Sequence, residues 1–135
     1  MNTKEVAQRF VAGYPCASGN HTVTSLPDGT MLYLLHGHCI ARWLSGEWFE
    51  LRHAGYATPT TAKALNAVLA ACNWLPFKLK AWCLTDTRTG KSYPFPSNGD
   101  PLRLLRVVQA GKPDWIFEQE HNGHNPRDLA PTIGG

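Results

Sequence analysis

Residues 21–53 read HTVTSLPDGTMLYLLHGHCIARWLSGEWFELRH. Apolar side chains recur at every second position through much of this run, with β-branched and aromatic types among them, which is the pattern of half-buried strands. Pro27-Asp28-Gly29 and Ser45-Gly46 interrupt it with residues that favour tight turns. The run therefore predicts three antiparallel strands joined as a meander. Beyond it the chain passes through Gly55-Tyr56-Ala57-Thr58-Pro59-Thr60-Thr61 into a helix. Thr58 suits the N-cap, where its hydroxyl accepts from a free backbone N–H, and Pro59 suits the next position, where no N–H is needed. Leu65, Val68, Leu69 and Cys72 follow at i, i+3, i+4 and i+7, an apolar stripe that predicts a helix over 59–73 lying on the meander.

On the N-terminal side, Val6, Phe10 and Val11 have helical spacing and Gly13 with Pro15 ends the segment, which predicts a helix over 3–12. On the C-terminal side, Phe77 to Thr85 alternates as a strand, Asp86 to Lys91 is a polar turn, and Ser92 to Phe95 reads as a proline-limited edge strand. Asp100-Pro101 repeats the cap-then-proline pattern, so Leu102 to Ala110, closed by Gly111, reads as a last helix. The expected fold class is α+β: an antiparallel meander of four to five strands with one face covered by the 59–73 helix, and flanking helices near each end. Residues 1–112 form one expected globular domain, and residues 113–135 an acidic, mobile tail in which only Trp115-Ile116-Phe117 is fit to pack.

Composition bounds the function. A chain of 135 residues that is 43% hydrophobic buries one core, and 10% aromatic content with five Trp excludes a wholly disordered chain. The net charge of +3 is unevenly spread, because Asp114, Glu118, Glu120 and Asp128 outnumber Arg127 beyond residue 112. The body before them is basic. Cys16, Cys39, Cys72 and Cys83 are widely spaced with no C-x-x-C pair, which predicts reduced thiols rather than a zinc ribbon or redox motif. No apolar run approaches the about 20 residues of a membrane span, and the N-terminus has no apolar stretch of signal-peptide type. A cytoplasmic protein of the bacterial host cell, with no membrane association, is the expectation.

The residues His36-Gly37, Ile40-Ala41, Gly55 to Thr61 and Leu65-Asn66 carry a resemblance. Over roughly residues 20–70 the chain resembles a family of small uncharacterised proteins encoded by bacteriophages and prophages, whose recurring pattern is L-H-G-x-x-I-A, then G-W/Y-x-T-x-T-T, then R-L-N. Tyr56 stands where Trp is usual, and Ala64 where Arg often precedes Leu65-Asn66. The resemblance implies a phage or prophage accessory protein, with a role in countering host defence as its suggestion, and brings no activity, cofactor or catalytic residue.

Three sets of residues are candidates for chemistry. If both hairpins have two-residue loops, His21 lies opposite His36 and His38 opposite His53, and all four imidazoles share one sheet face within reach of a zinc ion. A bulge at Gly37 would instead send His36 and His38 to opposite faces, leaving His36 a structural or hydrogen-bonding role. Lys78, Lys80, Arg88, Lys91, Arg103 and Arg106, interleaved with aromatics, form a candidate nucleic-acid-binding set. Trp115, Ile116 and Phe117, flanked by acids, are candidates either to dock on a basic partner or to fold back as an edge strand. The tail run His121-Asn122-Gly123-His124-Asn125 superficially matches an HNH nuclease but lacks room for the ββα frame that site needs. No Walker, G-x-G-x-x-G, H-E-x-x-H or G-x-S-x-G motif is present.

The resulting expectation is a non-enzymatic phage accessory protein that binds a host protein, as an inhibitor of a defence system, or binds nucleic acid. No catalytic residue and no cofactor is assigned. A zinc-dependent hydrolase or nuclease using the histidines is the enzyme alternative.

Overall fold

A computed structural model of the chain describes residues 1–119. The expected α+β class holds. Helix α1 (Thr3–Ala12) precedes strands β1 (Cys16–Ser18), β2 (His21–Ser25), β3 (Met31–Leu35), β4 (His38–Leu44) and β5 (Trp48–Leu51). Helix α2 (Pro59–Ala71), β6 (Phe77–Lys80), β7 (Cys83–Asp86), β8 (Ser92–Pro94), β9 (Leu102–Gln109) and β10 (Lys112–Phe117) follow. A seven-stranded sheet has the order β1-β2-β3-β4-β5-β9-β10, and a separate three-stranded sheet has the order β6-β7-β8, with every pairing antiparallel.

The helices start as their sequences dictate. Asn2 accepts from the Glu5 backbone N–H while the Glu5 carboxylate accepts from the Asn2 N–H, a reciprocal cap that satisfies two donors of α1. Thr58 caps α2 by accepting from the Thr61 N–H. Both helices lie on one face of the large sheet. Directly opposed residues share a face, so the register places Val23, Tyr33, Ala41, Leu51 and Leu102 in one row and Met31, Trp43, Phe49, Leu104 and Phe117 in the next. Of these ten side chains, all but Trp43 are buried. Val6, Ala7 and Phe10 of α1 and Ala64, Leu65, Val68 and Leu69 of α2 pack into the same core, which Phe77, Leu79 and Leu84 of the small sheet extend, with the Phe10 ring edge-on to Tyr33 and Phe49.

The meander has one strand more than expected. His36 and Gly37, both at positive φ (52° and 81°), form a two-residue turn that divides the presumed long middle strand into β3 and β4. The register also differs by one residue at the other two turns, because five residues connect β2 to β3 and three connect β4 to β5. His21 therefore faces Leu35 rather than His36, and Ala41 rather than Ile40 faces Leu51. A bulge in β4 at Ile40 then resets the parity, since Tyr33 pairs with Ala41 but Leu34 with Cys39.

The expected helix over 102–110 is a strand. Leu102 and Leu104 are buried while Arg103 and Leu105 are half-exposed, an alternation that pairs β9 with the free edge of β5. Val107 and Val108 favour extended backbone. Ala110 and Gly111, at φ 53° and 77°, make a hairpin turn rather than a helix stop. The single strand expected over 77–85 is likewise two, divided at Ala81-Trp82, where both residues have positive φ. Holding a bulky residue there costs on the order of 1–3 kcal/mol. The Trp82 ring packs edge-on against His53 and Phe95, contacts that offset that cost. Residues 113–117, assigned by sequence to the tail, form the folded-back edge strand, whereas His121 to Asn125 lie outside the described residues.

Among the described residues no helix is long and apolar enough to cross a membrane. Leu65 is fully buried between α2 and the sheet. Leu65→Ala should cost about 2–5 kcal/mol, and Leu65→Asp should abolish cooperative unfolding in a thermal melt followed by circular dichroism. A cooperative melt of the aspartate variant at the wild-type temperature would contradict this packing.

Candidate functional site

The four histidines take four different environments. His21 Nδ1 lies 2.7 Å from the buried Tyr33 hydroxyl. Burial lowers the pKa of its imidazole below the ordinary value, with His36 and Lys63 adding to the shift in the same direction. His36 sits in the turn with its side chain exposed. His38 pairs with Leu35 at the start of β4 and packs against Tyr56, ring centres 4.4 Å apart and tilted by 32°. His53 is buried; its Nδ1 accepts from the Gly55 N–H at 3.0 Å, which fixes the turn that leads toward α2. Among the described residues no three His, Cys, Asp or Glu side chains gather as metal ligands. The shared-face placement that would assemble zinc from His21, His36, His38 and His53 depended on two-residue loops, which the observed register replaces.

His36 and His38 instead border a pocket of 340 Å³ between the β3–β4 turn and the first turn of α2. Leu35 and Ile40 form its apolar floor, and Tyr56, Thr58, Thr60 and Thr61 its remaining wall. Of the residues that carried the phage resemblance, His36, Ile40, Tyr56, Thr58, Thr60 and Thr61 thus converge here. Several have a folding role that explains them. His36-Gly37 makes the turn, Ile40-Ala41 spans the bulge, and Thr58 caps the helix while its hydroxyl lies 3.1 Å from that of buried Thr61. Gly99 is needed beside this loop because a Cβ there would lie 2.8 Å from the Gly55 nitrogen.

The basic set divides between structure and surface. Arg88 binds Asp86 at 3.0 Å, Asp114 at 2.5 Å and the Trp115 carbonyl at 3.1 Å, tying the small sheet to β10. Arg103 binds buried Glu50 at 2.5 Å, and Arg42 holds the other oxygen of the same carboxylate. Both guanidiniums also lie over the Trp48 ring, at 4.7 Å for Arg103 and 5.5 Å for Arg42. Lys78 and Lys80 point outward from β6, and Lys91 lies in the turn before β8. Arg106 is exposed and makes no ion pair among the described residues.

Arg106 opens onto a cleft of 610 Å³. Trp43, Trp74 and Trp115 line it with Val11 and Pro113. The rings form a chain: Trp43 to Trp74 is 5.8 Å and Trp74 to Trp115 is 5.5 Å between centres. Trp43 Nε1 donates to the Phe10 carbonyl at 3.2 Å, which locks that indole, whereas Trp74 is 39% exposed at the mouth. Of the Trp115-Ile116-Phe117 run, Trp115 reaches this cleft, Phe117 is core and Ile116 lies on the opposite sheet face. The cleft was not legible as a site in the sequence. Its Arg106 and Trp115 were singled out in separate sets, and the convergence of Trp43, Trp74 and Trp115 requires β4, the α2–β6 loop and β10 to meet.

A family model described as Kyanoviridae Gp96 protein matches residues 2–100. That span contains the whole histidine–threonine pocket and stops short of Arg106, Pro113 and Trp115 of the tryptophan cleft. No curated protein and no solved structure matches the chain.

Burial alone would raise the Asp86 carboxyl, but hydrogen bonds and charge from Arg88 outweigh it and hold the group below its ordinary value of 3.8. A carboxyl depressed in the folded state binds fewer protons there than in the unfolded chain. Its contribution is therefore complete above the unfolded value and is lost as pH falls through the folded one. Urea midpoints measured from about pH 6 down to about pH 2 should decline below about pH 4 in the wild type. Arg88→Ala should lower the midpoint near neutrality and flatten that decline; an unaltered acid profile would exclude the contribution.

Proposed function

The chain belongs to the Kyanoviridae Gp96 family of bacteriophage proteins, and from that membership we propose that it is a phage accessory protein that acts by binding a host protein through the tryptophan cleft. The observation that carries this reading is an exposed indole, Trp74, set between two further indoles and beside Arg106, a guanidinium with no ion pair among the described residues. Trp and Arg are the residue types that most often supply the dominant binding energy of protein interfaces, because each buries a large rigid surface while keeping a directed donor. The cleft walls are already held in place by the Trp43 hydrogen bond to α1 and the Arg88 bonds to β10, so little order has to be gained on docking. Inhibition of a host defence system is the role this binding would serve.

Nucleic acid is a second reading, supported by Trp74 and Arg106 as a stacking surface beside a phosphate-binding cation. It has less support, since Arg88 and Arg103 are engaged by carboxylates and the exposed Lys78 and Lys80 stand on the separate small sheet.

The test uses host strains that each carry one defence system and a phage sensitive to it. Expression of the wild-type protein should raise plating efficiency on at least one strain, and Trp74→Ala with Arg106→Glu should abolish the rise while leaving the melting temperature within a few degrees. The purified variant should bind the host protein retained by wild type on the order of 30-fold more weakly, a loss of about 2 kcal/mol. Equal protection by the double variant would reject the cleft as the docking point. Binding to single-stranded DNA that weakens steeply with salt, and is lost in the same variant, would replace the host protein by nucleic acid.

A further inference from the structure

The pocket at the start of α2 has a chemistry different from the tryptophan cleft. Its floor, Leu35 and Ile40, is apolar. Above it, the His36 and His38 imidazoles, the Tyr56 phenol and the Thr60 hydroxyl make no hydrogen bond among the described residues. An imidazole, a phenol and an aliphatic hydroxyl can each both donate and accept in their uncharged forms. Among the described residues no carboxylate, ammonium or guanidinium lines the space. The His38 and Tyr56 rings, 4.4 Å apart and tilted 32° to each other, supply its aromatic wall.

A site with two-way hydrogen-bonding groups, an aromatic wall and an apolar floor selects an uncharged planar heterocycle whose edge carries both donors and acceptors. An aliphatic ligand would leave the imidazoles and hydroxyls unanswered, and a fully charged one would meet no counter-charge in the lining. The volume of 340 Å³ lies at the small end of the roughly 300–1,000 Å³ range of small-molecule sites, which fits one ring system with a sugar rather than a strand. We propose that this pocket binds a nucleobase, presented as the free base or as a nucleoside. The ring stacks on the His38–Tyr56 wall, and its polar edge meets His36 and Thr60.

This site lies beyond the binding function assigned to the cleft, and its test is independent of that function. The full chain is titrated separately with adenosine, guanosine, cytidine, uridine and thymidine, the corresponding free bases, and inorganic phosphate. Binding is followed by calorimetry and by amide chemical shifts. At least one base or nucleoside should bind with shifts confined to residues 35–40 and 56–61. Tyr56→Leu, which removes the ring at an exposed position, should weaken that binding at least fivefold, as should His38→Ala, with both melts unchanged. Thr60→Val should change the ranking among bases rather than abolish binding. Trp74→Ala should leave the titration as in wild type. Absence of binding by every base and nucleoside at millimolar concentration would overturn the proposal. Binding by phosphate alone would overturn it too, and would reassign the pocket to anions.

Discussion

The register between β3 and β4 is the constraint from which the remaining architecture follows. A two-residue turn at His36-Gly37 starts the pairing, and left unbroken it would send either the His38 end or the Trp43 end of β4 to the wrong side of the sheet. The bulge resolves this by placing both Ile40 and Ala41 in the interior. Ala41 and Trp43 can then join the rows that α1 and α2 cover, while Leu35 and His38 stay paired at the opposite end, under the start of α2. The same irregularity therefore fills the core and shapes the pocket.

Charge organises the other sheet face. Arg42, Glu50 and Arg103 lie in one row across β4, β5 and β9, and Trp48 spans the two guanidiniums from beneath. A carboxylate as buried as Glu50 is costly unless several donors meet it, and here two arginines do. This joins β9 to a meander distant from it in sequence, so Arg103 works in folding. Arg88 plays the same part on the far side by linking the small sheet to β10. The basic character of the second half, striking no single surface, is thus partly internal bracing.

Legibility in the sequence followed the range of the interactions. Both expected helices that formed have local causes, the Asn2–Glu5 reciprocal cap and the Thr58-Pro59 start, and both were readable. The His36-Gly37 turn was readable in principle, since two residues at positive φ favour Gly at one of them, but its neighbours all suit strands and hid it. Leu102 to Ala110 misled for a different reason. Its leucines and arginines fit a helical stripe as well as an alternating one, and the choice was made by the free edge of β5, which nothing local announces. In the strand, the Arg106 side chain consequently faces the tryptophans, on the sheet face opposite to Arg103. The pocket residues were legible as a motif but not as a cavity, because their convergence depends on the bulge.

The two concavities sit at opposite ends of α2, with Thr58, Thr60 and Thr61 at its start and Trp74 just beyond its end. Its 13 residues rise about 20 Å, and the side chains between the two ends, Ala64, Leu65, Val68 and Leu69, are locked in the core. A ligand at one end can influence the other only by shifting α2 as a body, and the packed rows beneath it oppose such a shift. Independent occupancy is therefore what this packing favours, with the proposed nucleobase pocket and the proposed host-protein cleft set at the two ends of a single helix and isolated from each other by the core it covers.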